Sequence, residues 1–251
     1  MILDCVVTAC NNNELYIDFI PIFIKSWNKL YPGVDVKIIL ISDTIPIKFE
    51  EYINNIILFN PIPNIETSFI SQYIRLLYPC ILNYKNGILI TDIDMIPMNS
   101  TYYTKNIENI NNDKFIYYRD VLMDYKQIAM CYNVALQNTW SQIFNINSIE
   151  DINQRLIDVN KNINYIVGHN QSGWCTDQID LYKYIIDWNN KTNNFVFLND
   201  NNTGFNRLDR DTFTLEYSVT NLIKNKHYSD YHLYRPYKNF KDINDTILSL
   251  L

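Results

Sequence analysis

The sequence predicts an α/β fold, a mostly parallel central sheet flanked by helices, on three observations. Short apolar runs of strand length (Leu3 to Thr8, Val34 to Ser42, Ile56 to Phe59 and Ile88 to Thr91) alternate with segments of helical period over the first 95 residues. Apart from Asp4, Asp35 and Lys37, their apolar residues are consecutive rather than every second one, the mark of strands covered on both faces. Polar residues end three of them, at Thr8 to Asn11, Ser42-Asp43 and Asp92 to Asp94. In open parallel sheets, ligands bind beyond the carboxyl ends of the strands.

Taken in order, the first run stops at Cys10-Asn11-Asn12-Asn13, and a helix is expected over Glu14 to Leu30 on the stripe Ile17, Ile20, Phe23, Ile24, Trp27, Leu30. Pro21 interrupts its first half, and Pro32-Gly33 ends it. A second helix is expected over Ser68 to Leu82, with Ile70, Tyr73, Ile74, Leu77 and Ile81 on one face. Gly87 then turns the chain into the fourth strand. Beyond residue 98 the pattern loosens. Phe115 to Tyr118 and Ile128 to Leu136 read as strands, Thr139 to Phe144, Ile149 to Val159 and Thr176 to Trp188 as helices, and Phe195 to Leu198 as an edge strand. With no Pro/Gly-rich linker and no repeat, one domain is expected, with a nucleotide half over 1–98 and an acceptor half over 99–251.

Composition narrows the function classes. Hydrophobic residues make up 47% and charged residues 19%, enough for a sizeable core. A net charge of -6 gives no basic face for nucleic acid. An acidic chain still binds an anionic nucleotide where a metal ion or local arginines supply the positive charge. The five cysteines are scattered without a C-x-x-C pair, which reads as free thiols in a reducing compartment. Met1 leads into a short apolar strand with no basic leader, so neither a signal peptide nor a transmembrane segment is expected, and the location expected is cytoplasmic. The abundance of Ile, Asn and Tyr and the scarcity of Gly follow AT-rich codons and weaken any inference from a single Asn or Tyr.

The chemistry centres on Gly87-Ile88-Leu89-Ile90-Thr91-Asp92-Ile93-Asp94-Met95-Ile96-Pro97. Two carboxylates at i and i+2 point to the same side if the backbone stays extended. Held close, they are costly unless a cation lies between them. Oxygen ligands of this kind suit Mg²⁺ or Mn²⁺, with water and phosphate oxygens completing the shell. Asp94 is the stronger candidate for direct ligation, with Asp92 on the metal, on it through water, or on a ribose. Asn11 and Asp43, at strand ends, are candidates for base or ribose contacts, together with Thr8, Ala9 and Ile93 around them. Asp209-Arg210-Asp211 repeats the spelling but follows no buried strand and reads as a charged loop. There is no G-x-G-x-x-G, no P-loop and no G-x-S-x-G elbow.

On these residues the sequence resembles GT-A glycosyltransferases, most strongly at Asp92-Ile93-Asp94. Gln72-Tyr73-Ile74-Arg75-Leu76-Leu77-Tyr78-Pro79 resembles the helix preceding the D-x-D strand, whose basic residue approaches the nucleotide sugar. Gly173-Trp174-Cys175-Thr176-Asp177-Gln178 resembles the acceptor-side W-x-x-D-Q segment. Asp230-Tyr231-His232 resembles a C-terminal D-x-H segment whose His completes the metal shell. More narrowly, Cys131 to Leu136 with Trp174 to Gln178 is similar to glycosyltransferase domains of giant DNA viruses. The resemblance implies a Rossmann-like GT-A fold. It also implies a Mn²⁺ or Mg²⁺ cofactor on Asp92, Asp94 and His232, and a nucleoside-diphosphate sugar, UDP the commoner, contacted by Arg75. Trp174 and Gln178 would meet a glycan or glycoprotein acceptor, with Asp177 as general base of an inverting transfer. Two alternatives stay open. Paired acids also serve two-metal nucleotidyl transfer or phosphate hydrolysis, given a further acid such as Asp120 or Asp124. The chain is otherwise a sugar-nucleotide-binding relic of the fold.

Overall fold

The computed structural model describes residues 1–251. The chain runs β1 (Leu3–Asn11), α1 (Ile20–Leu30), β2 (Asp35–Ile41), β3 (Ile56–Phe59), α2 (Thr67–Leu77), β4 (Gly87–Ile90), β5 (Met95–Pro97), α3 (Tyr102–Lys105) and β6 (Phe115–Tyr117). It continues β7 (Asn133–Leu136), α4 (Gln137–Phe144), α5 (Ile149–Lys161), α6 (Thr176–Thr192), β8 (Phe195–Phe197), α7 (Asp200–Thr203), β9 (Arg207–Asp209), α8 (Tyr217–Lys224), β10 (Asp230–His232) and α9 (Lys241–Ser249).

Seven strands form one sheet in the order β3-β2-β1-β4-β7-β6-β8. All neighbours are parallel except β7, which runs against both β4 and β6. Right-handed crossovers from β1 to β2 and from β3 to β4 cross the sheet in opposite directions, which puts α1 and α2 on opposite faces. The expected mostly parallel sheet flanked by helices is therefore what forms. Strand order reverses between β1 and β4, so a crevice opens where these two strands end, at Asn11 and Ile90. No helix is long and apolar enough to cross a membrane.

Local departures from the expected elements have local causes. Pro21 falls in the first turn of α1, where its missing N–H costs nothing, so the helix starts at Ile20 after a short 3-10 turn. Pro79 has no N–H to offer the Arg75 carbonyl one turn back, so α2 ends at Leu77 rather than Leu82 and the chain continues as a short 3-10 turn, Tyr78–Cys80. Leu122, Lys126 and Tyr132 have positive φ, which breaks extended pairing, and β7 shrinks to Asn133–Leu136. Gly87 starts β4 where a Cβ would lie 2.9 Å from both Ile2 O and Val134 Cγ2. Gly87→Ala is expected to lose about 1–3 kcal/mol in urea unfolding through overpacking, and a neutral result would show that the strand ends give way.

A second, three-stranded sheet was not expected. β5 pairs antiparallel with β10, and β10 pairs parallel with β9. Its register sets His232 opposite Met95 on one side and Asp209 on the other.

Candidate active site

A cleft of about 480 Å³ lies beyond the ends of β1 and β4. Ala9, Asn11, Arg75, Asp92, Ile93, Asp94, Trp174, Asp177, Gln178 and His232 all line it, although they come from five separate stretches of chain. Two expected residues do not. Thr8 is wholly buried inside β1 beside Ile38, and Asp43 is exposed past the end of β2. Asn11 donates from Nδ2 to Thr67 Oγ1 at 3.0 Å, tying the end of β1 to the start of α2.

The backbone does not stay extended through Asp92-Ile93-Asp94. Met95 N–H closes a turn on Asp92 C=O at 3.2 Å, and the two carboxylates take different partners. Asp92 faces the Arg75 guanidinium through Oδ1, and the Cys131 thiol donates to its Oδ2 at 2.7 Å. Asp94 turns the other way and is almost wholly buried. Its Oδ2 lies 3.0 Å from Arg210 Nη1, 3.4 Å from His232 Nε2 and 3.5 Å from Arg235 Nη1. Burial alone would raise its pKa, but His232, Arg210 and Arg235 outweigh that and hold it well below the usual carboxylate range.

Arg75 is buried at the end of α2, with one guanidinium nitrogen on Asp92 and the other 3.3 Å from Asp177 Oδ2. A planar fork of this kind can bridge two carboxylates, as a point charge cannot. Asp177 sits in the first turn of α6, where an acid is favoured by the helix dipole, and its Oδ1 accepts from Gln178 N–H at 2.8 Å. Burial pushes its carboxyl up to about 7 even though Arg75 pulls the other way. Beside it, Trp174 packs edge-on against His169 at the mouth of the cleft, with ring centres 5.2 Å apart.

The segment read as a charged loop is part of this site. Asp209 ends β9, and its Oδ2 stands 3.3 Å from His232 Nδ1. A carboxylate on one ring nitrogen orients the imidazole and leaves the other nitrogen facing inward, here toward Asp94. Burial disfavours charge on His232, but the hydrogen bond to Asp94 and its charge raise the imidazole pKa. Arg210 and Arg235, which follow β9 and β10, were missed from sequence because three-residue strands leave no periodic trace. Five arginines line the cleft against three aspartates, an excess of positive charge in a chain of net charge -6.

The divalent ion that the resemblance implies needs oxygen or imidazole ligands in this cleft. No three His, Cys, Asp or Glu side chains come together at ligand distance. Asp94 with the Asp209-oriented His232 still fits, since Mg²⁺ and Mn²⁺ are commonly held by one or two protein ligands with phosphates and water completing the shell. Asp92, engaged by Arg75 and Cys131, stands apart from that pair.

No family model and no curated protein matches this sequence. Solved structures do. An active-site mutant of LgtC superposes with a TM-score of 0.53 at 13% identity, over 96% of this chain and 95% of that one. The galactosyltransferase LgtC in complex with donor and acceptor sugar analogues gives 0.49 at 13% identity, over 91% and 86%. The glycosyltransferase GlyE of Streptococcus pneumoniae TIGR4 gives 0.48 at 16% identity, and this chain spans 54% of its length. Strand order and the end-to-end superposition on LgtC together give this chain the GT-A glycosyltransferase fold.

Proposed function

We propose that the protein is a metal-dependent glycosyltransferase moving a sugar from a nucleoside-diphosphate sugar, a UDP-sugar, to a hydroxyl of a glycan or glycoprotein. The observation that carries this reading is the joining of two units in one cleft, Asp94 with His232 and Asp209, and Asp92 with Arg75 and Asp177. The first unit suits Mn²⁺ or Mg²⁺, which when bound supplies charge stabilisation to a departing diphosphate. The second lies beside it and suits orientation of the sugar and its acceptor. Asn11 and Ala9 border the nucleotide end, and Trp174 offers a ring face to a sugar at the other.

Asp177 is assigned as general base. A buried carboxyl titrating at about 7 exchanges protons readily at neutral pH. This role implies inversion at the anomeric carbon. A product of retained configuration, read by proton NMR, would remove the role and leave Asp177 and Arg75 to orient the sugar.

Nucleotidyl transfer is less well supported, because Asp120 and Asp124 do not line the cleft. Asp120 accepts from Asn199, and Asp124 is exposed in a turn. The deciding experiment is incubation with a panel of sugar nucleotides, Mn²⁺ and mixed glycan acceptors. Release of nucleoside diphosphate is the expected result. Release of pyrophosphate or nucleoside monophosphate instead would sink the proposal, and tight nucleotide binding without turnover would favour a non-catalytic relic of the fold.

A further inference from the structure

The five arginines of the cleft are not equivalent. Arg75 is spent on Asp92 and Asp177. Arg119 is held through Nε and Nη2 by Asp200, and Arg207 through Nε by Asp230 and Nη2 by the Tyr132 hydroxyl. Arg210 and Arg235 differ. Only Nη1 of each donates to the protein, from Arg210 to Leu233 O at 2.6 Å and Asp94 Oδ2 at 3.0 Å, and from Arg235 to the Tyr16 hydroxyl and, at 3.5 Å, Asp94 Oδ2. Nε and Nη2 of both have no protein acceptor, although their side chains are only 11% and 24% exposed. Asp94 is the one carboxylate shared by these two guanidiniums and by His232, so positive charge is in excess around it.

We propose that Arg210 and Arg235 form a diphosphate clamp, giving the cleft affinity for a diphosphate group without any divalent ion. The proposal rests on the donor reading above and deepens it. Two planar forks with unpaired donors match the many oxygens of a diphosphate, which a single carboxylate or halide would leave largely unsatisfied. Partial burial strengthens such contacts, since water competes less for them. Tyr16 backs the arrangement, with the Arg235 guanidinium 5.2 Å from its ring centre. Asp94 is then a competitor: its carboxylate occupies the Nη1 donors that an incoming phosphate oxygen would use.

The competition gives a test of opposite signs. Calorimetry with inorganic pyrophosphate and with UDP, in EDTA, should show binding to the parent protein. Arg210→Gln and Arg235→Gln should each weaken it about tenfold, the worth of a charge-assisted contact. Asp94→Asn should strengthen pyrophosphate binding in EDTA several-fold, because the competing charge is gone. An Asp94→Asn variant that bound pyrophosphate no better than the parent would show that the carboxylate does not compete for these donors, and the proposal would fall. It would also fall if the parent bound UDP with Mn²⁺ but neither UDP nor pyrophosphate in EDTA, a result that leaves the glycosyltransferase reading standing. Absence of nucleotide binding with Mn²⁺ as well would overturn both. The parent measurements decide even if a variant folds poorly.

Discussion

Asp177→Asn should lower kcat on the order of 10²- to 10⁴-fold, the usual worth of a positioned proton acceptor, with the fold intact. Asn keeps the shape and the helix-start position but takes no proton. The parent's kcat/KM should rise with pH through about 7, as the buried carboxyl ionises, and this limb should be missing from the residual activity of the variant. Stability should move the other way. Burial raises the folded-state pKa of Asp177 above its ordinary 3.8, so the neutral carboxyl is the form the fold favours. Its contribution is complete below about pH 4 and is lost as pH rises through about 7. Thermal melts of the parent should show that decline, and those of Asp177→Asn should show less of it. An acidic limb that survives in the variant would place the titration elsewhere.

Arg75→Leu should be the most destabilising single change in the cleft. Arg75 is buried against two carboxylates, one of them almost fully enclosed. Removing one partner of a buried pair leaves uncompensated charge and costs about 3–5 kcal/mol. For a chain of this size that corresponds to a fall in melting temperature on the order of 10 °C. Without Arg75 the opposing pull on Asp177 disappears, so its carboxyl should titrate higher and the activity limb should shift up in pH. Arg75→Lys should rescue only part of the loss, since an ammonium cannot span both acids as the fork does. The double variant Arg75→Leu with Asp177→Asn should be less destabilised than the sum of the two, because the contact between the two side chains is lost only once. Additive losses would show that the two side chains act independently.

What could be read from the sequence was information stored locally. β1, β2 and β4 are written as largely apolar runs because most residues there are buried on one sheet face or the other, while the edge strand β3 leaves Leu58 exposed. Helix α2 is written in its stripe, and Asp92-Ile93-Asp94 stands out because two acids directly follow a buried strand. Ten of the twelve expected site residues reach the cleft, and five of them, Ala9, Asn11, Asp92, Ile93 and Asp94, do so because the sheet brings the carboxyl ends of β1 and β4 to one edge.

Tertiary structure alone decided how those residues are partnered. The turn at Asp92 to Met95 sends the paired acids to different neighbours, which depends on main-chain hydrogen bonding rather than side-chain pattern. The three-residue strands β5, β9 and β10 have too few residues for any period, yet their pairing makes Asp209 the support of His232 and brings Arg210 and Arg235 to Asp94. Backbone pairing between residues more than a hundred positions apart is specified by the whole packed core, not by the residues that pair. The chain carries net negative charge, yet arginines outnumber aspartates among the residues lining its cleft, because burial and pairing place charges by contact and not by composition.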